Sequence, residues 1–146
     1  MNQETDSVVG YCGLCCLDCF NHKGEIADLA RDLRKKLREA KFDVAAQGLS
    51  KYFKDFKEYD SCYQVLGAMV RLRCNRTCRT GGGNPACKAR ICSRKKEIAG
   101  CWECGEFETC TKLDFLKPIH GNANVENLKI IRKKGIQAFL AGKRCF

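Results

Sequence analysis

Thirteen of the 146 residues are cysteine, and they come in bunches. Tyr11-Cys-Gly-Leu-Cys-Cys-Leu-Asp-Cys19 sets four sulfurs within eight positions, closer together than a packed helix or strand uses for its own sake. The 45% hydrophobic fraction counts those thirteen side chains, so the remaining apolar residues fall short of an ordinary core and part of the fold needs stapling. Staples are disulfides in oxidising compartments and metal ions in reducing ones. Residues 1–10, MNQETDSVVG, carry Glu4 and Asp6 and lack the basic start and apolar run of a secretory signal, so a cytoplasmic protein is expected. An odd count of thirteen would also leave a closed disulfide framework with one unpaired thiol. Metal ligation is therefore the expected use of the sulfur.

The pattern predicts a mainly α fold: a small helical domain, residues 1–146, with irregular cysteine-rich loops stapled by metal. Residues 11–20 read as a cysteine knuckle running into a helix. Residues 24–73 form a helical middle, opened by an amphipathic helix whose apolar positions Ile26, Leu29, Ala30, Leu33, Leu37 and Ala40 recur at three- and four-residue intervals. A weaker helical pattern follows through Val44, Leu49, Phe53 and Phe56, with Gly48 a cost inside it. Ser61 and Gln64 resemble a capping box ahead of Val65, Leu66, Met69, Val70 and Leu72. The three segments are expected to pack together, with one apolar face each. Residues 74–113 form a metal loop in which Gly81-Gly-Gly-Asn-Pro85 stops any helix. A C-terminal helix over 123–141, capped by Asn124 and interrupted near Gly135, carries Val125, Leu128, Ile131, Phe139 and Leu140. No internal repeat and no run of alternating residues long enough for a strand is found.

Tetrahedral zinc takes four thiolate or imidazole ligands, and a C-x₂-C turn lets two sulfurs face one ion. Cys12 and Cys15, Cys16 and Cys19, and Cys101 and Cys104 have that spacing; Cys12 and Cys16, and Cys74 and Cys78, stand one residue further apart, and Cys87 and Cys92 two. Cys92, Cys101, Cys104 and Cys110 make one natural group, because a continuous stretch can wrap an ion without a distant partner. Cys12, Cys16, Cys19, Cys78 and Cys87 then compete for a second site, one that ties the knuckle to the late loop. Two four-thiolate zinc sites of net charge about −2 each would lower the formal +10 to about +6.

In order along the chain, the knuckle, then Cys78 followed by Asn84-Pro-Ala-Cys-Lys-Ala-Arg-Ile-Cys92, then Cys101-Trp-Glu-Cys-Gly-Glu-Phe-Glu-Thr-Cys110, resemble the bacterial and archaeal family called domain of unknown function 3795. The resemblance spans about 100 residues, and its ordered Y-C-G-L-x-C-x-x-C, C-K-x-R-x-C and C-x-x-C-x-x-F-x-x-C elements are specific. It implies zinc binding without an established activity, with the pattern falling on Cys12, Cys16, Cys19, Cys78, Cys87, Cys92, Cys101, Cys104 and Cys110. Cys15, Cys62, Cys74 and Cys145 lie outside it. Nine sulfurs are one more than two four-ligand sites need.

An iron–sulfur cluster is the alternative cofactor, since Cys₄ ligation serves it equally, although neither familiar ferredoxin run is present. Redox dithiol chemistry at Cys101 and Cys104 lacks the βαβ context that supports a thioredoxin reading. Cys62, on the Ser61 helix, is expected to be a buried small hydrophobe. Cys145, next to the last residue, is read as mobile, and His22 and His120 as ordinary histidines rather than ligands. The Gly81 to Gly83 run lacks the Lys-Ser/Thr ending of a P-loop and is read as a plain turn. Arg71, Arg73, Arg76, Arg79, Lys88, Arg90, Arg94, Lys95 and Lys96 crowd residues 71–96 and suit either a nucleic-acid or protein partner or the balancing of nearby thiolates. No interleaved aromatic set accompanies them. No catalytic triad, paired carboxylates or nucleotide fingerprint is recognisable, no apolar run is long enough to span a membrane, and no partner is specified. The reading taken is a structural or interaction module held by metal, with an iron–sulfur redox protein and a nucleic-acid-binding zinc module as the alternatives and enzyme function left open.

Overall fold

The computed structural model describes residues 7–146, so the segment read for the missing secretory signal lies largely outside the described residues. In chain order the helices are α1 (Phe20–Lys23), α2 (Glu25–Glu39), α3 (Phe42–Leu49), α4 (Tyr59–Arg71), α5 (Lys88–Lys95), α6 (Lys117–His120), α7 (Ala123–Lys134) and α8 (Ile136–Ala141), with short 3₁₀ turns between several of them. Among the described residues the only β pairing is an isolated bridge between Val9 and Cys15. The mainly α reading holds. No helix among these residues is long and apolar enough to cross a membrane. The contacts divide the chain into two compact units, Gly24–Arg73 and the remainder, Met1–Lys23 with Cys74–Phe146.

In the unit Gly24–Arg73, α2 buries Ala27 and Ala30, while Ile26, Leu29 and Leu33 stay exposed. Of the apolar stripe read from the sequence, Ala30 is buried while its large members Ile26, Leu29 and Leu33 are not. Small side chains let helices approach closely, and Gly67 of α4 lies against the Arg34 guanidinium, where a Cβ would come within 2.9 Å of it. The face is finished by polar and aromatic groups: Arg34 lies over the Tyr63 ring at 4.4 Å, and Arg38 donates to the Tyr63 hydroxyl at 2.9 Å. Arg73 pairs with Asp28 in the first turn of α2, joining the two ends of the unit. Lys41, at φ 48°, separates α2 from α3. Three further expectations need correcting. Phe53 and Phe56 do not continue a helix from Val44; α3 ends at Leu49 and Phe56 sits in a 3₁₀ turn, Lys54–Glu58, packed on Phe42 and Phe53. Ser61 does not cap α4, which starts two residues earlier at Tyr59 because the 3₁₀ turn runs straight into it. Cys62 on α4 is exposed rather than buried.

The other unit is built on the knuckle. Gly10 N donates to Leu14 O at 2.8 Å and Cys16 N to Val8 O at 2.8 Å, a tight reversal that turns Val9 and Cys15 inward. Gly13, at φ 87°, is seated on α7: a Cβ there would stand 2.8 Å from Leu128 Cγ and 3.0 Å from Asn124 O. Cys101 N donates to Tyr11 O at 2.8 Å and links the knuckle to the late cysteine loop. Val9, Ala89, Trp102, Phe107, Leu113, Leu116, Leu128, Ile131 and Phe139 form the core around which these loops close. Gly135, at φ 82°, breaks the C-terminal helix into α7 and α8, as its position suggested. Asn124, however, is a buried residue inside α7, whose capping position is Asn122, and its backbone carbonyl lies against Gly13 of the knuckle. Cys145 is held rather than loose, since Asn127 accepts from its N–H at 2.9 Å and donates to its carbonyl at 2.8 Å.

Candidate metal centre

The later cysteines converge because two short turns and one helix bring them to the same side of the core. Cys92 lies on α5; Cys101 and Cys104 bracket a 3₁₀ turn held by Cys104 N to Cys101 O at 3.0 Å; Cys110 follows a second such turn, Phe107–Thr109. Gly100 gives the turn its room, since a Cβ there would overlap the Trp102 indole that anchors it. All four cysteines line one cavity of about 60 Å³, together with Ser93, Lys96, Phe107 and Lys112. This is the group that the continuous stretch suggested.

The sulfurs of this cavity carry donors. Lys112 Nζ donates to Cys92 Sγ at 3.1 Å and Lys96 Nζ to Cys104 Sγ at 3.4 Å, while Ser93 Oγ lies 3.6 Å from Cys101 Sγ. A backbone hydrogen bond from Glu106 and the Lys96 ammonium hold the Cys104 thiol below its ordinary range, favouring thiolate. Cys101 is pushed up, chiefly by burial. Both lysines are raised by their sulfur partners, so each stays charged. Lys112 was not singled out in the sequence and Lys96 only as one of nine cations that could balance nearby thiolates, although Cys92 and Lys96 stand at i, i+4, a signal for a side-chain pair.

Cys12, Cys16, Cys19, Cys78 and Cys87 line a second, wider cavity of about 280 Å³, whose remaining wall is largely apolar and includes Phe115, Ile119, His120 and Phe146. Cys16 sits in the 3₁₀ turn Cys16–Asp18, Cys78 opens another, and Cys87 is the N-cap of α5. Burial pushes the Cys12 thiol up to about 12. Cys16 is lowered and Cys78 raised, because the two share a hydrogen bond in which one sulfur accepts the other's proton. Cys15, outside the family pattern, is buried and lines the same cavity. His120 lies there too; its Nδ1 is buried without a hydrogen-bond partner, and burial lowers its pKa. Cys74 instead braces the glycine turn, accepting from Gly83 N at 3.3 Å and donating to Arg76 O at 2.9 Å.

Arg90 completes that turn. It is buried, and its guanidinium donates to Cys78 O at 3.0 Å, Gly82 O at 2.9 Å and Asn84 O at 2.6 Å. Gly82 lies so close to Arg76 O that a Cβ would overlap it, which accounts for glycine there without any phosphate. Other members of the basic run are also engaged within the protein. Arg79 donates to Val9 O at 2.9 Å and lies 4.2 Å over the Tyr11 ring, and Arg94 reaches the Tyr11 hydroxyl.

The donor set of the smaller cavity, four thiols with ammonium groups at two of them, has the chemistry that tetrahedral zinc uses. Among the described residues no three His, Cys, Asp or Glu side chains are drawn together as a preformed ion site. The sulfurs thus share cavities without being gathered at coordination spacing.

A family model described as "Protein of unknown function (DUF3795)" matches residues 8–115, which takes in every cysteine of both cavities. No curated protein and no solved structure matches the chain.

Proposed function

We propose that this chain, which belongs to the DUF3795 family, binds metal through its two sulfur-lined cavities, with zinc as the ion, and serves as a structural or interaction module in a reducing, cytoplasmic setting. The observation that carries the reading is the smaller cavity: Cys92, Cys101, Cys104 and Cys110 line it together, and two lysines donate to its sulfurs. Zinc there would supply cross-links between α5 and the two loops that follow, and in such small domains ion-binding energy is folding energy.

An iron–sulfur cluster is the second reading. Its support is the wider cavity, where five pattern cysteines meet and leave one sulfur beyond a four-ligand site. Metal analysis of protein purified without oxygen separates the two. About two zinc per chain and no colour supports the first reading; iron, sulfide and a brown protein absorbing near ~400 nm support the second. Neither element above background would sink both.

Nucleic-acid binding by residues 71–96 has weaker support, because Arg73, Arg79, Arg90, Arg94 and Lys96 are engaged with protein groups, leaving Arg71, Arg76, Lys88 and Lys95 as the other exposed cations of the run. Affinity for a mixed-sequence oligonucleotide that drops steeply with added salt would restore it.

A further inference from the structure

We infer that Lys96 and Lys112 are the outer-sphere cations of the four-cysteine site, positioning residues that set how firmly Cys92, Cys101, Cys104 and Cys110 hold their ion. The inference rests on the metal reading above. Its basis is geometric. The two ammonium groups approach different sulfurs, Lys112 on Cys92 at 3.1 Å and Lys96 on Cys104 at 3.4 Å, and both side chains line the cavity the four cysteines share. They arrive from separate elements: Lys96 follows the last turn of α5, and Lys112 lies in the 3₁₀ turn Thr111–Leu116, which Cys110 caps. Both lysine-to-sulfur bonds found among the described residues belong to this cavity.

The electrostatic reason is simple. Four thiolates around a divalent ion leave a net charge of about −2 in a partly apolar pocket, and two ammonium groups at hydrogen-bond distance bring the assembly near neutrality. Hydrogen bonds to coordinated sulfur also draw electron density from it, which favours the metal-bound state over proton or alkylating agent. Lys96 has a competing acidic neighbour, Glu106 at 3.7 Å, which is largely exposed and further away than the sulfur. Ser93, buried beside Cys101, supplies a third, neutral donor.

The test uses the full chain as purified, with zinc bound, and compares wild type with K96M/K112M, K96R/K112R and the nearby surface control K95M. Zinc release to a chromogenic chelator and the sulfur-to-metal charge-transfer band after cobalt substitution are the readouts. In the methionine variant, one zinc per chain is expected to leave about 10–100-fold more readily and the cobalt band to shift, while the arginine variant restores both and the control matches wild type. The single variants K96M and K112M carry the same comparison if the double variant fails to fold. Wild-type retention and an unmoved band in the methionine variants would overturn the inference while leaving the metal reading intact. Equal loss in K95M would overturn it as a general charge effect. A wild type that holds no metal would instead overturn the reading on which it rests.

Discussion

Arg90 shows how much a single side chain carries here. It is 7% exposed, yet its bonds go to no carboxylate; three backbone carbonyls of the glycine turn accept from it. Replacing it with methionine keeps the stem and strands those carbonyls. Hydrogen bonds from a charged donor are worth about 1.5–3 kcal/mol each and do not add, so R90M is expected to cost about 2–4 kcal/mol, read as a lower urea midpoint at unchanged slope. A midpoint equal to wild type would mean that water replaces the guanidinium at no cost. The sequence marked Arg90 as one of nine clustered cations and as the arginine of the C-K-x-R-x-C element, neither of which says that its side chain turns inward. The Asp18 and Arg144 pair has its own signature. Arg144 donates to both oxygens of the carboxylate, at 2.6 and 2.9 Å, and that hydrogen bonding holds Asp18 below the ordinary carboxylate range. A depressed carboxylate contributes stability that is complete above its unfolded value of about 3.9 and is lost as pH falls through the folded value. Wild type is therefore expected to exceed D18N in urea midpoint at pH 7 and to converge on it in acid, as pH falls below the unfolded value and through the folded one, metal loss in acid being common to both. A gap that persists unchanged in acid would assign the effect to packing.

At the level of elements, helices were readable and their buried faces were not. The period of α2 is plain, but the structure buries Ala27 and Ala30 and leaves Leu29 71% exposed. Pattern reading weights side chains by apolar size, whereas the α2 and α4 contact is set by how closely two backbones approach, which favours alanine and glycine. The helix starts failed for a related reason: Ser61 and Asn124 have capping chemistry, but the preceding turns begin the helices at Tyr59 and Ala123. Cysteine grouping was more legible. Cys92, Cys101, Cys104 and Cys110 are near in sequence, so few chain paths separate them, while the six sulfurs of the wider cavity come from two distant segments, four from the knuckle with Cys78 and Cys87, and meet only through tertiary packing. The knuckle and α7 meet at Gly13, which gives a direct test. G13A places a Cβ 2.8 Å from Leu128 Cγ and asks alanine to hold φ 87°. The expected loss is about 1–3 kcal/mol in chemical denaturation, from overpacking and left-handed strain together. Pairing G13A with L128A relieves the clash alone, so the loss should be partly recovered relative to the sum of the singles. Strict additivity would place the cost in the backbone.

For the whole molecule, the division of contacts matters more than the element count. Every cysteine of both cavities belongs to the unit formed by Met1–Lys23 and Cys74–Phe146, and the cysteine in Gly24–Arg73, Cys62, is exposed on α4. The sequence reading took residues 1–146 as one domain; the contacts separate a unit that holds both sulfur-lined cavities from one with its own close-packed helices. If metal binding is folding energy for the first, removing the ion acts there before anywhere else. Hydrogen exchange followed by mass spectrometry checks this, with protein incubated in a strong chelator under reducing conditions against untreated protein. Amides of the knuckle, α5 and the turns around Cys101 and Cys110 are expected to lose protection, while α2 and α4 keep most of theirs. The Cys101 amide is the most informative position, since its bond to Tyr11 O crosses from one cysteine segment to the other. Unchanged exchange throughout that unit, after verified metal removal, would show that its core of Val9, Trp102, Phe107 and Leu128 stands without the ion, and that the sulfurs serve something other than stability.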